Sequence, residues 1–118
     1  MFLESRKSQR LNNWGKVESE KLCSLAGTLD DISTDGFGAH FPIMLNCEMD
    51  ADYEFTVKLS SETGLSGKSF KLIAVPQWKI DCESGSKIGF SLLRSPDSIQ
   101  YTEYVNNLLA KEQEINEY

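Results

Sequence analysis

Cysteine is sparse and poorly placed for chemistry. Cys23, Cys47 and Cys82 are an odd number with no C-x-x-C pair, so a zinc site or a dithiol redox motif has no support. Three reduced, partly buried thiols are expected instead, since free cysteine behaves as a small core hydrophobe. Histidine is scarcer: His40 is the only one, too few for a histidine metal cluster, and its strand context predicts an exposed or locally bonded ring. Asp50-Ala51-Asp52 lacks the oxygen-rich loop and final glutamate of a calcium hand. Lys68 after Gly64 and Gly67 lacks the G-K-[ST] order of a phosphate loop. Ser33 has no evident base to activate it. The chain is therefore expected not to be an enzyme and to carry neither metal nor cofactor. Long apolar runs are absent, which predicts no membrane insertion. Met1-Phe2-Leu3 meets Glu4 and Arg6 at once, leaving no signal-peptide core, so a cytoplasmic location is expected. Positive charge is also short, with 12 Lys and Arg against 18 Asp and Glu for a net charge of −6. That balance excludes a general nucleic-acid binder, which needs a broad basic surface.

The 118 residues fit one domain, long enough to bury a core without disulfides or metal. Charge is polarised along the chain. Arg6, Lys7, Arg10 and Lys16 open it, whereas from Asp97 onward Asp97, Glu103, Glu112, Glu114 and Glu117 face a single Lys111. Residues 1–13 lack apolar periodicity and are expected to form a flexible arm, with the folded domain spanning 14–118. From Trp14, segments rich in β-formers recur between turn residues. Strands are expected over Leu22–Ile32, Gly36–Phe41, Tyr53–Leu59, Ser69–Asp81 and Lys87–Leu93. Pro42 ends the second of these, Pro76 interrupts the long Ser69–Asp81 run, and Glu83–Ser86 forms a turn around Gly85. Tyr53, Phe55, Val57 and Leu59 alternate with Glu54, Thr56 and Lys58, the pattern of a half-buried strand. Ser95-Pro96-Asp97 predicts a helix start with Ser95 as N-cap and Pro96 at the first helical position. That helix, over about 96–112, puts Tyr101, Tyr104, Val105, Leu108 and Leu109 on one face. Five or six short strands and one amphipathic helix predict a small antiparallel barrel or sandwich, with the helix covering an end or edge.

Two segments carry the chemistry. Arg6-Lys7-Ser8-Gln9-Arg10 is an R-x-x-x-R pattern in a stretch with little core to build. The planar guanidinium pairs bidentately with phosphate or with the O6 and N7 edge of guanine, and its face stacks on bases. Asp31-Ile32-Ser33-Thr34-Asp35-Gly36 is a D-x-S-x-x-G pattern at a turn between strands. A carboxylate there can accept from the N1–H and N2–H edge of guanine, and a hydroxyl can bond phosphate or brace the turn. Glycine tolerates the positive φ that a tight hairpin can require. Asp30 and Asp31 are expected to face opposite ways on the strand, leaving Asp30 a solvated charge.

Taken in order, with about twenty residues between Arg10 and Asp31, the two patterns resemble the PilZ family, whose signature is R-x-x-x-R followed by [D/N]-x-S-x-x-G. The likeness extends through Gly36-Phe37-Gly38-Ala39 before Pro42, Val75 to Trp78, Gly89-Phe90 and the closing helix. It implies a six-stranded antiparallel β-barrel with a C-terminal helix and a site for cyclic di-GMP. Arg6 and Arg10 would clamp phosphates and guanine edges, Asp31 and Ser33 would meet guanine, and Gly36 would hold the turn. Trp78 would be a stacking surface, or else a core or rim tryptophan. Ser5 stands where many members carry a further basic residue. The resemblance implies a receptor that reorders on binding and signals to a protein partner controlling motility, adhesion or exopolysaccharide. The alternative is a PilZ-like adaptor of pilus or flagellar machinery that binds protein without nucleotide.

Overall fold

The computed structural model describes residues 15–59 and 68–116, with side chains described as far as residue 110. Six strands in chain order are β1 (Gly15–Ser19), β2 (Cys23–Ser33), β3 (Gly36–Phe41), β4 (Tyr53–Leu59), β5 (Lys68–Cys82) and β6 (Gly85–Leu93), followed by helix α1 (Ser98–Asn116). All neighbouring strands pair antiparallel, and the sheet closes in the order β1-β2-β3-β6-β5-β4. The fold is thus the mainly β, six-stranded barrel with a C-terminal helix that the sequence leads one to expect. Closure gives every strand a partner on both sides along part of its length, which removes the long free edge of an open sheet.

Alternation sets the core. Phe55, Val57 and Leu59 of β4 point inward, as do Phe37, Ala39 and Phe41 of β3 and Ile88 and Phe90 of β6. Phe37, Phe55 and Phe90 meet at centroid separations of 4.7–5.4 Å, in tilted and edge-to-face contacts that suit aromatic quadrupoles. Helix α1 closes one end of the barrel. Tyr101 and Val105 are fully buried, Tyr104, Leu108 and Leu109 pack against the core, and Phe70 lies under both tyrosine rings.

Several boundaries differ from expectation for identifiable reasons. The short first strand, Gly15–Ser19, has only two buried side chains, Val17 and Ser19, too few to print a period. Pro76 does not interrupt β5. It lies inward where its missing N–H is tolerated, and the register shifts between Pro76 and Trp78 so that pairing with β6 resumes. The β5–β6 turn narrows to Glu83-Ser84, because Gly85, at φ 135°, already pairs with Cys82. The helix starts at Ser98, not at Pro96. Asp97 takes the capping position: its carbonyl accepts from Tyr101 N–H at 2.9 Å, and its carboxylate accepts from Lys71 N–H at 2.7 Å. A bond from Asp97 N–H back to Lys71 O, 3.1 Å, completes the tie to β5. Backbone helix continues to Asn116, beyond the expected end near 112. The cysteines do not share one environment, with Cys23 buried, Cys47 intermediate and Cys82 exposed. Among the described residues no helix is long and apolar enough to cross a membrane.

Candidate functional site

The D-x-S-x-x-G segment forms the β2–β3 hairpin. Ser33 pairs with Gly36 across the two-residue turn Thr34-Asp35. The Ser33 hydroxyl donates to Gly36 O at 3.4 Å, and Thr34 Oγ1 donates to the Asp35 carboxylate at 3.0 Å. The turn is also held from outside. Leu92 N–H donates to Asp35 O at 2.7 Å, Tyr101 OH to Gly36 O at 2.9 Å, and Thr102 Oγ1 to Thr34 O at 3.4 Å. Gly36 is not at positive φ, which corrects the role expected of it. Glycine is required because a Cβ there would strike the carbonyl oxygen of Phe90 on β6.

Just below the turn, the outer face of the barrel carries two paired glycines, Gly38 on β3 and Gly89 on β6. Asp31 pairs with Gly38 from β2, and Trp78 pairs with Gly89 from β5. The row across four strands therefore reads Asp31, Gly38, Gly89, Trp78. The missing side chains let the flanking ones lie flat. A Cβ at Gly38 would stand 2.9 Å from Asp31 Oδ1, and one at Gly89 would fall on the indole of Trp78. Paired positions stand about 5 Å apart at Cβ, so the carboxylate and the indole are neighbours on one surface. Trp78 is 44% exposed, a surface tryptophan and not a core one.

A bulge in β2 orients the carboxylates. Register shifts between Leu29 and Asp31, so Asp30 and Asp31 together oppose one stretch of β3. Leu29 and Ile32 both point into the core, and Asp30 and Asp31 both turn outward. This overturns the expectation that they face opposite ways. Nor is Asp30 a solvated charge: its side chain is 23% exposed, and Oδ1 lies 2.7 Å from His40 Nδ1. Its other oxygen, Oδ2, is buried with no hydrogen-bond partner among the described residues. His40, half-exposed and bonded to Asp30, takes the locally bonded state expected of it.

Of the residues singled out in the sequence, Asp31, Ser33, Gly36 and Trp78 fall on or beside this surface. Arg6 and Arg10, with the arm expected over 1–13, lie outside the described residues. Sequence reasoning missed Gly38 and Gly89 as the floor and Asp30 with His40 as a bonded pair. The Gly-Phe-Gly and Gly-Phe steps at 36–38 and 89–90 are the signal that could have exposed the floor. Phenylalanine fills the core at alternate positions, so the glycines fall on the outer face, where a flanking side chain can lie over them.

A cleft of about 460 Å³ lies elsewhere. Its lining includes Glu18 on β1, Glu20 and Lys21 just after it, Glu54 on β4, Lys71 on β5, and Pro96. Three carboxylates against two lysines give it no excess of positive charge for a phosphodiester, and none of the motif residues lines it. Among the described residues no group of three or more His, Cys, Asp or Glu could hold a metal ion. Comparison with protein-family models, with curated proteins and with solved structures found no match to this chain.

Proposed function

We propose that this chain is a PilZ-like receptor for cyclic di-GMP that acts in the cytoplasm by binding and not by catalysis. One observation carries the reading: the motif carboxylate Asp31 and the exposed indole of Trp78 lie side by side over the Gly38–Gly89 floor, next to the hairpin of the same motif. A guanine stacked on the indole would turn its N1–H and N2–H edge toward Asp31. An aromatic platform of this kind contributes about 1–3 kcal/mol per base. The glycines beneath let the carboxylate and the indole lie close to the strands and present their outer faces, and Arg6 and Arg10 would supply the phosphate contacts.

A receptor must also report its state. The hairpin that would sense the ligand is bonded to α1 through Tyr101 and Thr102. Movement of Asp31 or Ser33 would therefore be felt at the helix, where a protein partner could read it.

Isothermal titration with cyclic di-GMP tests the reading, run on the native chain beside Arg10→Ala, Asp31→Ala and Trp78→Ala. Saturable binding weakened at least tenfold by each substitution is the expected result. Native protein that gives no heat, and is not competed by the nucleotide, would sink the receptor and leave the protein-binding adaptor as the working description.

A further inference from the structure

Deepening the nucleotide reading, and resting on it, we infer that Lys87 of β6 is a phosphate contact that belongs to the barrel itself. The outward positions next along from the glycine floor are His40, two residues beyond Gly38 on β3, and Lys87, two residues before Gly89 on β6. The two are register partners of each other. On β5 the position paired with Lys87 is Ile80. Two residues along a strand span about 7 Å. That is about the distance from a base stacked on the indole that covers Gly89 to its sugar and phosphate, and an extended lysine side chain covers it.

The charge on Lys87 is available for this. Lys58 lies 3.1 Å from Glu18 and Lys79 lies 3.1 Å from Asp81, whereas Lys87 has no carboxylate within salt-bridge distance among the described residues. Its cross-strand neighbours explain why. Ile80 is apolar, and the ring of His40 is held by Asp30 on the far side, from β2. In a chain of net charge −6, an exposed lysine left uncompensated one step from the floor is placed for an anion. The floor, Asp31, Trp78 and Lys87 then form a path running from base to phosphate along β6. Lysine acts there as a point charge, whereas the arginines act as forks.

The test measures cyclic di-GMP affinity by titration at low and at high salt. It compares native protein, Lys87→Ala, Lys87→Arg, Asp31→Ala and, as a control, Lys68→Ala on an exposed lysine elsewhere in β5. The expected results are about tenfold weaker binding for Lys87→Ala with a shallower salt dependence, recovery to within about twofold for Lys87→Arg, and no change for Lys68→Ala. Native binding that Asp31→Ala weakens but Lys87→Ala leaves intact in strength and salt dependence would overturn the role of Lys87 and keep the receptor. Equal losses at Lys68 and Lys87 would overturn it as well, by reducing the effect to overall charge. No binding by native protein removes both.

Discussion

Glycine does two different things on this barrel, and substitution separates them. At Gly36 an added Cβ meets a fixed backbone oxygen of Phe90, whereas at Gly89 it meets a side chain that is half free to move. Gly36→Ala should therefore cost about 2–4 kcal/mol in urea unfolding, because strands must shift. Gly89→Ala should cost less than about 1 kcal/mol yet weaken nucleotide binding, since it lifts the indole off the floor. Tyr101 is a second residue whose environment makes a prediction. Burial, reinforced by the nearby charge of Asp31, raises its phenol above the ordinary value of 10.0. The unfolded chain releases this proton near pH 10 while the folded chain keeps it. The contribution is thus complete below pH 10 and falls as pH rises through that value toward the folded pKa, by about 1.4 kcal/mol per unit. Tyr101→Phe leaves the Gly36 carbonyl without its buried donor and should cost about 1–2 kcal/mol at pH 8. Urea titrations at pH 8 and pH 10.5 should show that deficit shrinking at the higher pH.

At the scale of elements, the joint between β5 and α1 is small and specific. Asp97 receives Lys71 N–H on its carboxylate and returns its own N–H to Lys71 O. The cap of the helix is therefore also a clamp on the strand beneath it. Asp97→Ala should lower stability by about 1–2 kcal/mol, read as a shift in the urea midpoint with little change in slope. A second joint ties the 42–52 connection to the β5–β6 hairpin. Leu45 N–H donates to Ser86 Oγ at 2.8 Å, and Lys79 Nζ donates to Leu45 O at 2.6 Å. Ser86 in turn donates to Asp81 at 2.6 Å, and this bond, ahead of those from Lys79, lowers the Asp81 pKa. The connection is thereby held by buried and half-buried polar groups, with Leu45 set into the core.

The whole molecule is one closed sheet around one core, with α1 seated on the barrel end. Every strand pairs on both sides, including the distant pairs β1–β4 and β3–β6, so few strands can be lost singly. Thermal unfolding should be a single transition, and by mass action a ligand bound only by the folded form should raise its midpoint. Saturating cyclic di-GMP, at 100 times its Kd, should add about 2.7 kcal/mol of apparent stability. A calorimetric scan in which the nucleotide leaves the midpoint unmoved would contradict the receptor reading.

The amino-acid pattern by itself determined that the fold is mainly β with one amphipathic helix, and which residues of β4 and α1 face its core. Phe55, Val57 and Leu59 on β4, and Tyr101 and Val105 on α1, are legible because polarity repeats every two or every three to four residues, a local property of the chain. The motif turn at 33–36 is legible from its Ser-Thr-Asp-Gly composition, which is equally local. The tertiary structure alone decided what stands beside what. Asp30 and Asp31 share a face because β2 bulges against β3. The indole of Trp78 lies flat because a glycine from another strand is its partner. The helix begins at Ser98 because Asp97 has a strand to bond. Each of these rests on cross-strand register, and register is set by contacts between residues far apart in the chain, which no local pattern encodes.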